Sequence, residues 1–462
     1  MALLIAAPCS GSGKTLLSLL LTAAARRAGQ APQLFKVGPD YLDPQLLSHA
    51  SGRPCRNLDL LLAGPEAVRR SFLHWAALAP LTLVEGVMGL FDGLGSGQEG
   101  SSAAVARLLD LPVVLVVEAS RQGASLAALV QGFRDHDPAV RLVGVVLNGV
   151  SSARHRQLLS EVLSTTGVPL LGVLPRDPLL ELPSRHLGLL PPHELPDLDA
   201  RLRGLADRAG DWLHLDRLLA WMAPPPGAGQ GPSPFAAAAE WPLPGGIRPP
   251  RIALARDAAL HFCYPEQREW LEQLGCEVLI WSPLSDQPLP QGTEALVLPG
   301  GYPELHAASL AGCGASLEAI RRHGAAGLPL YAECGGMLLL GQRLHDVTGV
   351  GHQLAGVLPF SARRAELQLG YRQTTGLVDG LVSRRGERLW GHEFHRWQLS
   401  REGNPAPWRL EGWGVVSRVE GWTTTTLHVS WLHLHWGGCP SIPRRLRDAT
   451  LAAAARPSGK PN

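Results

Sequence analysis

The chain has 462 residues, 45 % of them hydrophobic, too many for one core and enough for two or three folded domains. Lys and Arg number 42 against 40 Asp and Glu, a net charge of +2, which argues against a basic nucleic-acid stripe or a polybasic membrane surface. Seven scattered cysteines with no C-x-x-C pair fit a reducing cytoplasm and give no zinc site; no apolar run is long enough for a membrane helix, and no basic segment precedes the apolar start, so no signal peptide is expected.

Residues 1–7 (MALLIAA) read as a strand buried on both faces, and Cys9-Ser10-Gly11-Ser12-Gly13-Lys14-Thr15 follows directly, with an apolar helical run from Leu16. Strand, glycine-bearing loop and helix is the arrangement in which backbone N–H groups wrap a nucleotide's phosphates. Lys14 would reach the terminal phosphates and the Thr15 hydroxyl would meet Mg²⁺. Pro8 stands where the usual signature has Gly, and the same residues can also make an ordinary strand-to-helix turn. Lysine otherwise occurs only at Lys36 and Lys460, so two of three lie near the proposed phosphate site.

Residues 33–38 (QLFKVG) read as a second strand, and residues 39–44, with Asp40, Tyr41 and Asp43, as the loop at its end. A third strand (81–84) runs into Glu85 and on through Gly86 to Asp92 and Gly93. A carboxylate at a strand tip is where a doubly wound nucleotide-binding sheet places a magnesium ligand, so Asp40, Glu85 and Asp92 are metal or acid–base candidates, although each alone could cap a turn. Strands at 111–118, 142–147 and 170–174, with a helix at 122–134, complete an alternating pattern and a mostly parallel sheet. Asn148 at the end of one strand can bond an adenine edge or make a turn. Residues 182–189 form a loop bearing Arg185 and His186, a pair suited to a carboxylate-rich substrate.

Residues 223–250 are rich in Pro, Gly and Ala, and read as a linker without regular structure. A second α/β pattern begins at residue 251. Strands at 251–255, 277–281 and 295–298 flank a helix at 266–274, and the last runs into the turn Pro299-Gly300-Gly301. Residues 328–337 (LPLYAECGGM) then carry an apolar strand into Glu333-Cys334-Gly335-Gly336 and a Leu-rich helix. A cysteine on such a turn is a candidate nucleophile, its thiol exposed and acidified by the helix N-terminus. Cys263, Cys276 and Cys439 read as inert core. Near the C-terminus, 427–436 (LHVSWLHLHW) offers His428, His433 and His435 as the base; alternation puts His433 and His435 on one face, and spacing does not separate those two. The acid expected two residues beyond His433 is replaced by His435, so the sequence reads as a Cys–His pair without a carboxylate.

These residues carry a resemblance. The Pro-Gly-Gly turn, the Cys-Gly-Gly elbow and the late His look like a class I glutamine amidotransferase, and 300–305 (GYPEL preceded by Gly), 332–336 (AECGG), 391–395 (GHEFH) and 430–435 (SWLHLH) resemble its corrinoid-biosynthesis branch. Residues 7–15, 36–44, 85–93 and 182–189 are similar to the cobyrinic acid a,c-diamide synthase family, which also shares the Pro8 variant and the missing acid. The resemblance implies two doubly wound, mostly parallel α/β domains: a P-loop, dethiobiotin-synthetase-like ATP-binding domain over 1–195 and a glutamine amidotransferase domain over 251–444. A helical segment and linker (196–250) would join them, and a tail (445–462) would follow.

It further implies Cys334 as nucleophile, His433 as base, and the N–H groups of Gly301 and Gly335 as oxyanion donors. Ser10 to Thr15 and Asn148 would bind ATP; Thr15, Asp40 and Glu85 would hold Mg²⁺; Tyr41, Asp43, Asp92, Arg185 and His186 would meet substrate or move protons. The expected substrates are cobyrinic acid, glutamine and ATP, with no nucleic acid or membrane partner and a homodimer as the one assembly considered. Rival readings are an amidase of hydrogenobyrinic acid or nickel-sirohydrochlorin, a cobyric acid synthase, or a partitioning-type ATPase switch with a non-catalytic C-terminal module.

Overall fold

A computed structural model describes residues 1–185 and 188–455; His186, Leu187 and the last seven residues lie outside the described residues. The chain divides into two compact units, Met1–Pro234 and Phe235–Asn462.

The first unit is built on a seven-stranded sheet. Its strands are β1 (Leu3–Ala6), β2 (Gln33–Val37), β3 (Arg56–Leu58), β4 (Thr82–Glu85), β5 (Val113–Glu118), β6 (Leu142–Val150) and β7 (Leu170–Pro175), ordered β3-β2-β4-β1-β5-β6-β7 and paired parallel throughout. The apolar runs predict this, because a parallel strand covered by helices on both faces has no polar side. Leu3 and Ile5 enter one core with the helix Lys14–Arg27 (α1), while Leu4 and Ala6 enter the other. Each fully buried Leu or Ile contributes about 1.5–3 kcal/mol. Strand order reverses beside β1, and a doubly wound sheet opens its ligand crevice at such a point, outside the carboxyl ends of its strands.

Two local readings change. The 39–44 loop is shorter than expected, because a helix, Leu42–Ser51 (α2), begins inside it and Asp40 Oδ1 accepts the N–H groups of Leu42 (2.9 Å) and Asp43 (3.3 Å). The 182–189 segment contains a two-stranded antiparallel ribbon, Ser184–Arg185 with Gly188–Leu189, where a plain loop was expected. Helices Leu198–Trp212 and Leu215–Trp221 add Leu205, Ala209 and Leu218 to the core that α1 lines. The Pro/Gly-rich stretch also buries more than its composition predicts: Phe235 packs edge-on against Trp270 at 5.3 Å, and Ala236–Glu240 forms a 3₁₀ turn.

The second unit has two sheets. One has six strands in the order Glu277–Trp281, Arg251–Ala255, Ala295–Leu298, Leu330–Glu333, Leu427–Ser430 and Trp422–Thr423, all pairs parallel except the last. The other, absent from the sequence reading, has seven strands and is mostly antiparallel, dominated by Ser361–Gly376 and Arg388–Leu399. The chain passes from the first sheet at Ser430 to the second at Leu432, which delivers His433 to the end of the strand that carries Glu333. The helix Ser441–Ala454 follows and buries Ile442 and Leu446.

Candidate active site

In the first unit the loop after β1 presents exposed Ser10 and Gly11, with Ser12 buried beneath them. Gly11 (φ +80°) and Gly13 (φ +107°) take left-handed conformations that side chains rarely adopt, and Gly13 caps α1. Lys14 Nζ donates to Met88 O at 2.5 Å; burial, then the neighbouring Lys36 charge, lowers its pKa to about 8. Thr15 Oγ1 donates to Glu85 Oε1 at 2.8 Å.

Lys36 joins the acids. Its Nζ lies 2.6 Å from Asp43 Oδ2, 2.7 Å from Glu85 Oε1 and 3.8 Å from Asp40 Oδ2. Burial alone would discharge this ammonium, yet the carboxylates of Asp43, Glu85 and Asp40 outweigh burial and hold its pKa well above the ordinary value. Burial and the Asp43 charge push Asp40 up to about 7, whereas Asp43 stays below the usual carboxylate range because the Lys36 charge and hydrogen bond overcome its desolvation.

Glu85 Oε2 is buried and has no hydrogen-bond partner among the described residues. With the Thr15 hydroxyl beside it, this oxygen fits a hard divalent cation that takes its remaining ligands from phosphates and water. Among the described residues no group of three or more His, Cys, Asp or Glu forms an all-protein metal cage.

The other predicted residues take varied places. Asp92 is exposed and its Oδ2 accepts Gly89 N–H at 2.8 Å, the cap of a turn and no part of the acid cluster. Tyr41 is buried. Asn148 Nδ2 donates to Ser12 O at 3.1 Å, so its amide braces the phosphate loop. Arg185 lies on the short ribbon.

In the second unit Cys334 ends the strand Leu330–Glu333 with φ 45° and ψ −110°, a strained conformation for a residue with a side chain and the mark of a nucleophile elbow. The glycines around it permit backbone-to-backbone contact. A Cβ at Gly336 would lie 2.1 Å from Leu298 O, and one at Gly335 would lie 2.7 Å from Gly301 O and 2.8 Å from Gly301 N. The Pro-Gly-Gly turn is thereby pressed onto the elbow, and a Cβ at Gly300 would strike His433 Cε1 at 2.3 Å. The Cys334 turn, the glycine turn and His433 converge from three segments.

Three expectations are corrected here. The thiol is neither exposed nor acidified: Cys334 is buried, its Sγ donates to Phe394 O at 3.5 Å, and burial with the charge of Glu304 drives its pKa well above the ordinary thiol value against the Gly335 N–H. The helix behind it is only Gly335–Leu338, too short to offset desolvation. Strand alternation does not place His433 and His435 together, because the strand ends at His433; His435 instead meets the Tyr264 ring (4.7 Å) and Glu266 (3.9 Å). The pair also has a carboxylate close by, since Glu333 Oε2 lies 3.6 Å from His433 Nδ1.

Sequence reasoning passed over Glu333 by looking for the acid after the histidine; its signal was a lone carboxylate in the apolar strand Leu330–Glu333. It also passed over Glu393, buried among Arg372 (2.8 Å), His395 (2.8 Å) and Arg418 on the long hairpin.

The fold and the two sites define a nucleotide-binding domain joined to a glutamine amidotransferase domain. Family models agree: one described as the CobQ/CobB/MinD/ParA nucleotide binding domain matches residues 3–190, and one described as the CobB/CobQ-like glutamine amidotransferase domain matches residues 251–439. Among curated relatives, cobyrinate a,c-diamide synthase of Gloeobacter violaceus is 42 % identical with 98 % of each chain covered. Hydrogenobyrinate a,c-diamide synthase of Streptomyces coelicolor is 42 % identical over 96 % of each chain, and cobyrinate a,c-diamide synthase of a Synechococcus strain is 38 % identical over 98 % of this chain and 99 % of its own. The chain belongs to this a,c-diamide synthase family.

Proposed function

We propose that the protein amidates the a and c side-chain carboxylates of cobyrinic acid with ATP and glutamine, a step of cobalamin biosynthesis, as a ligase forming C–N bonds. The observation that carries this reading is one chain bearing both a phosphate loop backed by carboxylates and a strained Cys334 elbow packed against a glycine turn and His433. Full-length similarity to a,c-diamide synthases supports the substrate. Cys334 attacks the glutamine amide, His433 carries the thiol proton to the leaving nitrogen, and the Gly301 and Gly335 N–H groups receive the oxyanion; ammonia leaves, and water hydrolyses the glutamyl thioester on Cys334 to glutamate and the free thiol. In the other unit, backbone amides of Ser10 to Gly13 and Lys14 hold ATP while a substrate carboxylate takes the terminal phosphoryl group; ammonia then displaces phosphate. Thr15 and Glu85, with Asp40 nearby, would hold Mg²⁺, which when bound neutralises charge on the phosphates. Tyr41, Asp43 and Arg185 are assigned to the substrate side. Seven unpaired thiols support a reducing, cytoplasmic setting, and among the described residues no helix is long and apolar enough to cross a membrane.

The test is mass spectrometry of the corrinoid after incubation with ATP, Mg²⁺ and glutamine. Two successive losses of about one mass unit, each an OH-to-NH₂ exchange with one ADP formed, are expected. Cys334→Ser should lose glutamine use and keep amidation from free ammonia. A second reading, the metal-free hydrogenobyrinic acid as substrate, is favoured by the Streptomyces relative at 42 % identity, and assaying both rings in parallel decides between them.

A further inference from the structure

We infer that Glu333, the residue immediately before the nucleophile, is the positioning acid of the glutaminase site, holding His433 so that Nδ1 keeps its proton and Nε2 presents the lone pair. The inference rests on the reading of Cys334 and His433 as the reacting pair.

Both side chains are fully enclosed, His433 at 0 % and Glu333 at 1 % exposure. Glu333 is fixed from three directions. Oε1 accepts the Tyr331 hydroxyl and the Leu434 N–H (3.2 Å), and Oε2 accepts Gln267 Nε2 at 3.3 Å. Gln267 is itself tied down, because its Oε1 accepts Tyr264 N–H at 3.2 Å in a capping box. With Oε1 carrying two donors, Oε2 is the oxygen turned to His433 Nδ1, 3.6 Å away. That separation is longer than a hydrogen bond, as contacts in ligand-free catalytic sites often are before they tighten around substrate.

The histidine has little freedom to turn elsewhere. Its backbone pairs with His392 on the strand Arg388–Leu399, and Gly300 crowds its Cε1 edge. Leu434, the next residue, bonds the same carboxylate, so main chain and ring are registered on one acid. An anion beside Nδ1 stabilises the Nδ1–H tautomer and the imidazolium formed on proton transfer, the work done by the acid of a nucleophile–base–acid triad. Here the acid arrives from the residue before the nucleophile and not from the strand that carries the base. His435 meets a different acid, Glu266, with Nε2 3.9 Å from Oε2, and packs on the Tyr264 ring.

The experiment compares Glu333→Gln, Glu333→Asp and Tyr331→Phe in the full-length protein, each assayed for amidation with glutamine and with ammonia. A glutamine side chain at position 333 keeps the shape but offers an N–H toward Nδ1 and favours the wrong tautomer. Its kcat with glutamine should fall about a hundredfold or more, with KM for glutamine within about threefold and ammonia-dependent amidation unchanged. Glu333→Asp keeps the anion and should recover at least tenfold of that loss, while Tyr331→Phe, which leaves the carboxylate in place, should lose less than about fivefold. Should Glu333→Gln not fold, the other two decide: a loss of about a hundredfold or more in Glu333→Asp, or of more than about fivefold in Tyr331→Phe, overturns the inference. It is also overturned by Glu333→Gln within threefold of the native kcat, or by Asp no better than Gln. Cys334→Ser, run alongside, keeps the two failures apart: if it too retains glutamine use, the reading of the reacting pair falls; if it alone loses it, only the role of Glu333 does.

Discussion

Lys36 and Glu85 are direct cross-strand partners, paired in register between β2 and β4 with Nζ 2.7 Å from Oε1 although 49 residues separate them in the chain. The pair is buried and shares its ammonium with Asp43, so removing the cation strands negative charge in the interior. Lys36→Met should lower unfolding stability by about 3–5 kcal/mol, read from the denaturant midpoint, and abolish ATP-dependent amidation. Lys36→Arg should not restore activity, because a planar guanidinium cannot take the place of a compact ammonium held by Asp43, Glu85 and Asp40. An unchanged midpoint in Lys36→Met would remove the ion pair from the account of stability.

Gly301 has no room for a side chain, since a Cβ would lie 2.1 Å from Ala259 O and 2.9 Å from Leu260 Cα. Gly301→Ala must therefore shift the turn that offers its N–H beside the elbow. On the proposal that the Gly301 N–H receives the oxyanion, glutamine-dependent amidation should fall about a hundredfold or more while ammonia-dependent amidation stays within about twofold. Equal loss from both nitrogen sources would mean that the turn supports folding and not the oxyanion.

The parallel strands were legible because burial on both faces writes itself as unbroken apolar runs, such as residues 3–6 and 113–117. The two glycine turns were legible because their residue types answer to backbone constraints. What stayed hidden was set by tertiary contact. The long strands Ser361–Gly376 and Arg388–Leu399 mix buried and exposed positions with charges whose partners lie across the sheet, so the ion pair of Arg372 with Glu393 is not visible until the register is known. The thiol pKa was misjudged because desolvation depends on how deeply Cys334 sits, which no spacing encodes. Glu333 was missed for the same kind of reason: its link to His433 spans 100 residues of chain and is made by the crossing at Trp431.

At the phosphate loop, Gly13 combines a φ of +107° with a Cβ position 2.6 Å from Asn148 Nδ2, so Gly13→Ala is strained and displaces the amide bracing Ser12 O. Gly11 has a similar φ of +80° but open space around it. Gly11→Ala should cost only the backbone term, about 1–2 kcal/mol, whereas Gly13→Ala should in addition weaken nucleotide affinity about tenfold or more, measured by calorimetric titration of ATP. Equal affinities in the two variants would show that Asn148 does not shape the loop.

The last prediction concerns His428, wholly buried between Tyr331 (5.2 Å, stacked) and Trp408 (4.7 Å, edge-on), with neither ring nitrogen hydrogen-bonded among the described residues. Burial lowers its pKa to about 3, against about 6.5 for an unfolded histidine. The sign follows from proton linkage. Above about pH 6.5 the imidazole is neutral in both states and nothing is lost; as pH falls from there toward 3, only the unfolded chain takes up the proton, and native stability declines. His428→Phe removes the proton uptake while keeping an aromatic ring, so the stability difference between variant and native protein should move in the variant's favour by about 2 kcal/mol between pH 7 and pH 5. Any cost of fitting the larger ring is independent of pH and cancels in that comparison. Denaturant unfolding at the two pH values measures it, and a difference that does not change with pH would mean that His428 is protonated or solvated in the native state.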